Sequence, residues 1–428
     1  MLYPSKKSFN LKQIQHLKKS PIFVLVFSIS FFSGSISAAS NDDQVLSYLA
    51  TQCTGAIPSE LASLCLTLFP GGGAGGPPAG STASLNAITS SAQSSSAASS
   101  AQNVRASVQD RVEKIKRCEQ SKNNNNPTDK IECEELSDGN KTDELFGKLG
   151  VFFTGMYNEK DRKQLRENGF NSSLEGFVGG FDYRFTDWIT AGFAVGHTSE
   201  DSQFKSAAGD LNAESWNYTL YGTLTPIDNV YLDFSAGYAD MDFKSTRNIS
   251  LSTPSGTISG ITNGENSADM YTVGLVAGYS WYWKGLSIDP RVKFDYSVTD
   301  IKAYNETGNT DLELSFAEQH RRSLTTSFGT QISYAHSIPW GVVIPQLRSY
   351  YVHEYKNSVR TIQNSLSISP AGQFSNLTDD PDRDYMIWGG GISTVLPHGI
   401  QLFADFEQLV AHRYLNSWTA SGGLRFEF

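Results

Sequence analysis

Ile288-Asp289-Pro290-Arg291-Val292-Lys293-Phe294-Asp295-Tyr296-Ser297-Val298 changes character at every step: its even-numbered side chains are apolar, and its odd-numbered ones are charged or hydroxylated. A period of two places these two sets on opposite faces of an extended strand. The same alternation runs through Val230, Leu232, Phe234, Ala236 and Tyr238 against Tyr231, Asp233, Ser235 and Gly237. It returns at the end of the chain, where Trp418, Ala420, Gly422, Leu424, Phe426 and Phe428 oppose Thr419, Ser421, Gly423, Arg425 and Glu427.

Alternation alone fits a soluble sandwich as well as a membrane barrel, because both give a strand one apolar and one wet face. The connections separate them. About twelve strands fall near 148–157, 172–185, 188–200, 213–225, 229–243, 267–283, 286–302, 322–338, 342–357, 383–396, 400–411 and 415–428. Every second connection is minimal: Thr186-Asp187, Pro226-Ile227-Asp228, Lys284-Gly285, Pro339-Trp340-Gly341 and Pro397-His398-Gly399. The intervening ones, 158–171, 244–266 and 358–382, run long and polar, and only 412–414 is short. Tight turns on one rim and long loops on the other are the build of an outer-membrane barrel. Closure follows, because each unpaired amide in hydrocarbon costs several kcal/mol and a sheet there must leave no edge. The expected fold is therefore all-β, a 12-stranded antiparallel transmembrane barrel over 147–428. Trp188, Tyr231, Trp281, Trp283 and Trp340, at strand ends, are expected to form the interfacial aromatic girdle.

Upstream, Lys6, Lys7, Lys12, Lys18 and Lys19 precede the apolar run Phe23–Phe27 and the small residues Ser37-Ala38-Ala39, which reads as a secretory signal peptide over 1–39. Its apolar core is shorter than the roughly 20 residues of a spanning helix. Removing those lysines from a chain of formal charge −10 leaves about −15, which argues against a nucleic-acid partner. Residues 40–103 divide into a short amphipathic segment, with Leu46, Leu49, Leu61, Leu64 and Leu68 at helical spacing, and a Gly/Ser/Ala-rich tract over 71–103 that reads as a flexible linker. The basic stretch beginning at Val104 has Val108, Val112 and Ile115 at helical spacing, with Arg105, Arg111, Lys114, Lys116 and Arg117 on the other faces, and a polar connection follows to residue 146. Cys53, Cys65, Cys118 and Cys133 all precede the barrel, in two pairs; an oxidising periplasm permits two local disulfides, and the absence of nearby histidines and of Cys-x-x-Cys spacing disfavours a metal.

With these features in hand, the chain resembles the translocator domain of the autotransporter (type V secretion) family. The resemblance rests on Gly176-Phe177-Val178-Gly179-Gly180-Phe181-Asp182-Tyr183, the turn Thr186-Asp187-Trp188, Ala191-Gly192-Phe193-Ala194-Val195-Gly196, Arg322-Ser323-Leu324 leading to Phe328-Gly329, and the terminal Gly422-Gly423-Leu424-Arg425-Phe426-Glu427-Phe428. It implies a lumen threaded by the basic helix of Arg105 to Arg117, a terminal signal of Leu424, Phe426 and Phe428 read by the barrel-assembly machinery, and secretion of what lies upstream. The sequence departs from the family pattern in carrying only about 64 residues before that helix, with no β-solenoid repeat.

The inward charges Asp233, Asp289, Arg291, Lys293, Asp295, Arg348, Asp405, Glu407, Arg425 and Glu427 suit a hydrated lumen and are expected to hold the helix rather than to catalyse. His197, His320, His353 and His412 are scattered at strand ends, without a Gly-x-Ser-x-Gly elbow. Asn123 to Asn126 raise self-cleavage within the barrel as a reading, but a solvated linker explains them as well. Asp379, Asp380, Asp382 and Asp384 lack the Asp-x-Asp-x-Asp-Gly order of a calcium loop. The expectation is an outer-membrane protein that translocates or tethers its own short N-terminal segment, without enzymatic activity, cofactor or metal. Its partners would be outer-membrane lipid and lipopolysaccharide, the barrel-assembly machinery and periplasmic chaperones. The rival readings are an adhesin-like barrel binding partners through loops 244–266 and 358–382, and a pore or barrel hydrolase.

Overall fold

The computed structural model describes residues 41–54, 57, 59–68, 92–104, 106 and 148–427, apart from 164, 254, 255 and 398. The expected signal peptide, the basic residues Arg105, Arg111, Lys114, Lys116 and Arg117, the pair Cys118 and Cys133, the run Asn123 to Asn126 and Phe428 lie outside the described residues.

Twelve antiparallel strands close into a barrel. They are β1 Leu149–Arg162, β2 Phe170–Thr186, β3 Ile189–Phe204, β4 Gly209–Ile227, β5 Val230–Thr253, β6 Gly256–Tyr279, β7 Leu286–Ile301, β8 Gln319–Tyr334, β9 Gly341–Glu354, β10 Asp384–Leu396, β11 Ile400–Val410 and β12 Leu415–Glu427. Each pairs with its sequence neighbour, and the first meets the last from Gly150↔Glu427 to Arg162↔Leu415, so no edge remains. The tight turns work through backbone conformations that match strand twist: Asn229 (φ 67°), Lys284 (φ 47°), Gly285 (φ 82°) and Gly399 (φ 72°) all take the left-handed region.

Alternation sorts the side chains. Phe153, Phe181, Phe193, Leu275, Phe294, Phe328 and Leu347 are exposed on the outer, lipid-facing surface. Trp188, Trp281, Trp283 and Trp340 are exposed at strand ends beside the tight turns. Tyr231 corrects the expected girdle. It is 1% exposed, and its hydroxyl donates to Asp289 Oδ1 at 2.6 Å, because position 231 shares its parity with Asp233 and faces inward.

The long loops are more structured than their polarity suggests. Residues 244–266 are no open loop: β5 and β6 stay paired from Lys244↔Glu265 to Thr253↔Gly256, forming a hairpin that runs past the barrel. Above the lipid no face of a strand meets hydrocarbon, so apolar alternation lapses; the inner face is buried through Ser245, Arg247, Ile249 and Thr262, a mostly polar set. Within 358–382, Thr361–Leu366 pairs with Ser369–Leu377, and these join Leu314–Phe316 and Tyr304–Asn305 in a four-stranded sheet at the loop rim. Arg247, on β5, binds that assembly: its guanidinium donates to both oxygens of Glu306, at 2.9 and 2.5 Å, and to Leu312 O at 2.8 Å, all within a dry contact.

On this sheet sits the amphipathic N-terminal segment. α1 (Asn41–Gln52) and α2 (Ala62–Leu68) are stapled by a Cys53–Cys65 disulfide. Tyr48, Leu49, Leu61 and Leu64 bury against Ile249, Leu314, Phe316 and Phe374, and the rings of Tyr48 and Phe374 lie 5.0 Å apart. A segment too short to make a core of its own completes one with the loops.

Candidate functional site

The lumen is asymmetric, and its asymmetry follows from which inward-facing positions are apolar. On β2 to β6, inward positions include Phe170, Leu174, Val178, Ala194, Leu211, Met241 and Met270, all buried. On β7 to β11 they include Asp289, Arg291, Lys293, Asp295, Arg321, Arg348, Glu354, Asp405 and Glu407, beside the apolar Val342, Ile344 and Val352.

A helix over 92–104 lies against the apolar sector. Ala92, Ala97 and Ala101 pack among Phe170, Leu211, Phe243 and Met270, and Val104 packs among Phe152, Met156, Leu174 and Val178. Thirteen helical residues span about 20 Å, roughly two thirds of the hydrocarbon slab. The Ser/Ala tract that reads as flexible linker is thus the buried helix itself. Alanine is the best helix former, and residues without long side chains let a helix axis approach the wall closely.

Its serines are used. Lys160 Nζ donates to Ser99 Oγ at 2.8 Å while pairing with Glu200 Oε1 at 2.5 Å, and Ser99 Oγ lies 3.1 Å from Glu200 Oε2. Ser100 Oγ shares a 2.7 Å hydrogen bond with Thr198 and accepts from Asn217 Nδ2 at 3.0 Å. Gln93 donates to Asn266 at 2.7 Å, Arg360 to Ser94 Oγ at 3.0 Å, and Thr419 to Asn103 Oδ1 at 3.4 Å. Each such bond contributes on the order of 1 kcal/mol net, and leaving a partner unsatisfied costs more.

The ten predicted inward charges all have lumen parity, and several of them pair with one another; the basic residues they were expected to hold lie outside the described residues. Arg348 pairs with Asp405, and with Glu407 at 2.8 Å; Arg291 pairs with Asp289 at 2.8 Å; Arg425 pairs with Glu427. Asp233 accepts from Thr223 at 2.7 Å, Lys293 stands over the Tyr350 ring at 4.1 Å, and Asp295 lines the cavity described below. Among the described residues the helix of 92–104 is held by Lys160, Glu200, Thr198 and Asn217, which sequence reasoning missed. Extending the even parity of β1 past residue 157, and that of β3 to Glu200, was the signal available. Leu424 and Phe426 face outward on β12, with Phe426 exposed.

Between the helix and the charged sector lies a cavity of about 370 Å³, lined by Lys160, Lys293, Asp295, Arg321, Glu354, Arg360, Tyr385, His412 and Tyr414 among others. The rim histidines do not converge. His320 bonds Asp300 and His353 bonds Asp384, each at 2.7 Å, while His412 lies 3.9 Å from Asp382; His197 stacks on Phe177 and Trp216. The acids once considered for calcium are turned apart: Asp379 to Arg162 at 2.7 Å, Asp382 to the Arg413 amide at 2.7 Å, and Asp384 to His353. Among the described residues no group of three potential ligands assembles.

The family model described as autotransporter beta-domain matches residues 151–407. Outer membrane protein A of Rickettsia conorii and that of Rickettsia rickettsii are each 26% identical over 230 residues, covering 52% of this chain but only 11% and 10% of theirs. The chain therefore spans about a tenth of the length of these relatives. The translocator domain of the autotransporter NalP from Neisseria meningitidis superposes with a TM-score of 0.53 at 12% identity, covering 69% of this chain and 92% of that one, a likeness of fold.

Proposed function

The chain belongs to the autotransporter β-domain family, whose barrel resides in the bacterial outer membrane and whose general role is to translocate a passenger; from that premise we propose that this barrel translocates and then retains its own N-terminal segment. Residues 1–39 direct export, residues 40–103 emerge through the lumen, and the barrel of 147–428 stays as anchor. The stapled pair α1–α2 remains on the outer rim as a cap. One observation carries this reading: the helix of 92–104 bonds along the lumen wall while the segment before it packs on the loop sheet, at the rim opposite the tight turns. This arrangement supports a chain that has passed outward.

In this reading the barrel performs no catalytic step, and its assembly uses the barrel-assembly machinery, periplasmic chaperones and the outward-facing Leu424 and Phe426 with terminal Phe428. Support for the non-catalytic role comes from the dispersal of the rim histidines: His320, His353 and His412 each face a separate acid, and His197 stacks on aromatic rings.

An epitope tag beside Asn41 tests the proposal. On intact cells it should bind antibody, be shaved by added protease, and migrate with the barrel on a denaturing gel before shaving. Labelling that requires permeabilised outer membranes would refute the outward cap, and a tag released into the medium would refute its retention.

A further inference from the structure

The cavity beside the helix holds several acids and bases, and most are mutually satisfied. Arg162 takes Glu167 at 3.1 Å and Asp379 at 2.7 Å; Lys160 takes Glu200; Glu407 serves Arg348. Glu354 accepts from Ser323 Oγ at 2.5 Å. Two guanidinium groups stand apart from this pattern. Arg321 and Arg360 both line the cavity, and neither forms an ion pair with any described residue. Arg360 reaches Ser94 through Nη2, while its Nη1 is sealed and without a hydrogen-bond partner among the described residues. Arg321 has no side-chain hydrogen bond to any described residue.

Burial, and next the neighbouring charge of Arg321, push Arg360 down to about 10. Two cations facing one half-dry space repel each other; Glu354 lies near Arg321 without a hydrogen bond to it, and Arg360 Nη1 has lost water that no described residue replaces. A guanidinium presents its N–H donors in a planar fork matching the oxygens of phosphate or carboxylate. The remedy for both groups is a single multi-oxygen anion between them.

We infer that the lumen cavity is a binding site for a small oxyanion, a phosphate or carboxylate group on a free solute, clamped between Arg321 and Arg360. Ser94 fixes the second guanidinium from the helix, so the helix contributes to the site as well as filling the barrel. A free solute is taken as the source rather than a lipid headgroup, because the cavity is lined by the helix of 92–104 and by inward-facing wall residues. The site is independent of how the N-terminal segment reached the surface.

The test uses the full chain folded in neutral detergent, with inorganic phosphate as probe and sodium chloride at matched ionic strength as control. Phosphate should raise the unfolding temperature saturably beyond chloride, and phosphorus NMR should show line broadening at substoichiometric protein. R321Q and R360Q should each weaken half-saturation at least tenfold, while K205Q, which removes an exposed pair with Asp161, should leave it unchanged. If a glutamine variant fails to fold, R360K keeps the charge but loses the fork, and should bind severalfold more weakly. Equal responses to phosphate and chloride, or an unaltered half-saturation in R321Q or R360Q, would overturn the assignment.

Discussion

The Lys160 ammonium stands between the helix and the wall: it lies 2.5 Å from Glu200 Oε1 on β3 and donates at 2.8 Å to Ser99 Oγ on the helix. Lys160 is 5% exposed and Glu200 2%. Removing one member of a buried pair strands the other charge, at a cost of about 3–5 kcal/mol. K160M is therefore expected to loosen the helix, raising single-channel conductance in planar bilayers and lowering the unfolding temperature. K160M combined with E200L should recover much of that loss, since an apolar pair leaves no stranded ion. A double variant as leaky as K160M would show that the contact with Ser99, not the ion pair, holds the helix.

The helix has a wall face and a cavity face, and they should answer differently to bulk. Ala97 is 0% exposed, packed among Phe170 and Met270, whereas Ala98 lines the cavity. A97L adds a side chain where none fits, at about 1–3 kcal/mol. A98L points its new atoms into open space and should fall within about 0.5 kcal/mol of wild type. Heat-modifiable electrophoresis measures both, and a reversed order would rotate the helix in its seat.

Legibility in the sequence depended on whether a physical rule applied locally. Asp289 and Arg291 announced their face because lipid on one side of the wall and water on the other enforce a period of two. Lys244 and Glu265 did not announce their pairing, because beyond the lipid nothing demands apolar alternation of a strand. The Ser94–Ala98 tract was opaque for a different reason: small residues mark both a linker and a helix pressed against a wall, and only the wall distinguishes them. Tyr231 was misread by residue type where its parity with Asp233 gave the right side. The local pairing of Cys53 with Cys65 was foreseeable; the packing of Tyr48 on Phe374, more than three hundred positions away, was not.

The staple should matter to the cap and not to the barrel. Cys53 and Cys65 are buried in the contact between α1, α2 and the loop sheet. Opening a ring of this size forfeits about 3 kcal/mol, and the loss falls on a segment with little core of its own. C53A/C65A is expected to make residues 41–68 cut rapidly by protease on intact cells, while the barrel keeps its heat-modifiable shift. Unchanged cleavage would mean the loop sheet holds the segment without the bridge.

His412 gives the loop rim a pH dependence whose sign can be worked out. Its side chain is 9% exposed and its Nδ1 accepts from the Leu415 amide at 3.2 Å; burial pushes it down to about 4, against the opposing pull of Asp382. In the unfolded chain the same imidazole protonates near its ordinary value of about 6.5. A depressed folded value means the stabilising state is the neutral one, so its contribution is complete above pH 6.5. It declines by about 1.4 kcal/mol per pH unit as pH falls toward 4, a loss on the order of 3 kcal/mol. Wild type should therefore lose more unfolding temperature between pH 7 and pH 4.5 than H412Q, whose amide cannot titrate. Parallel curves for the two proteins would remove His412 from the account of acid sensitivity.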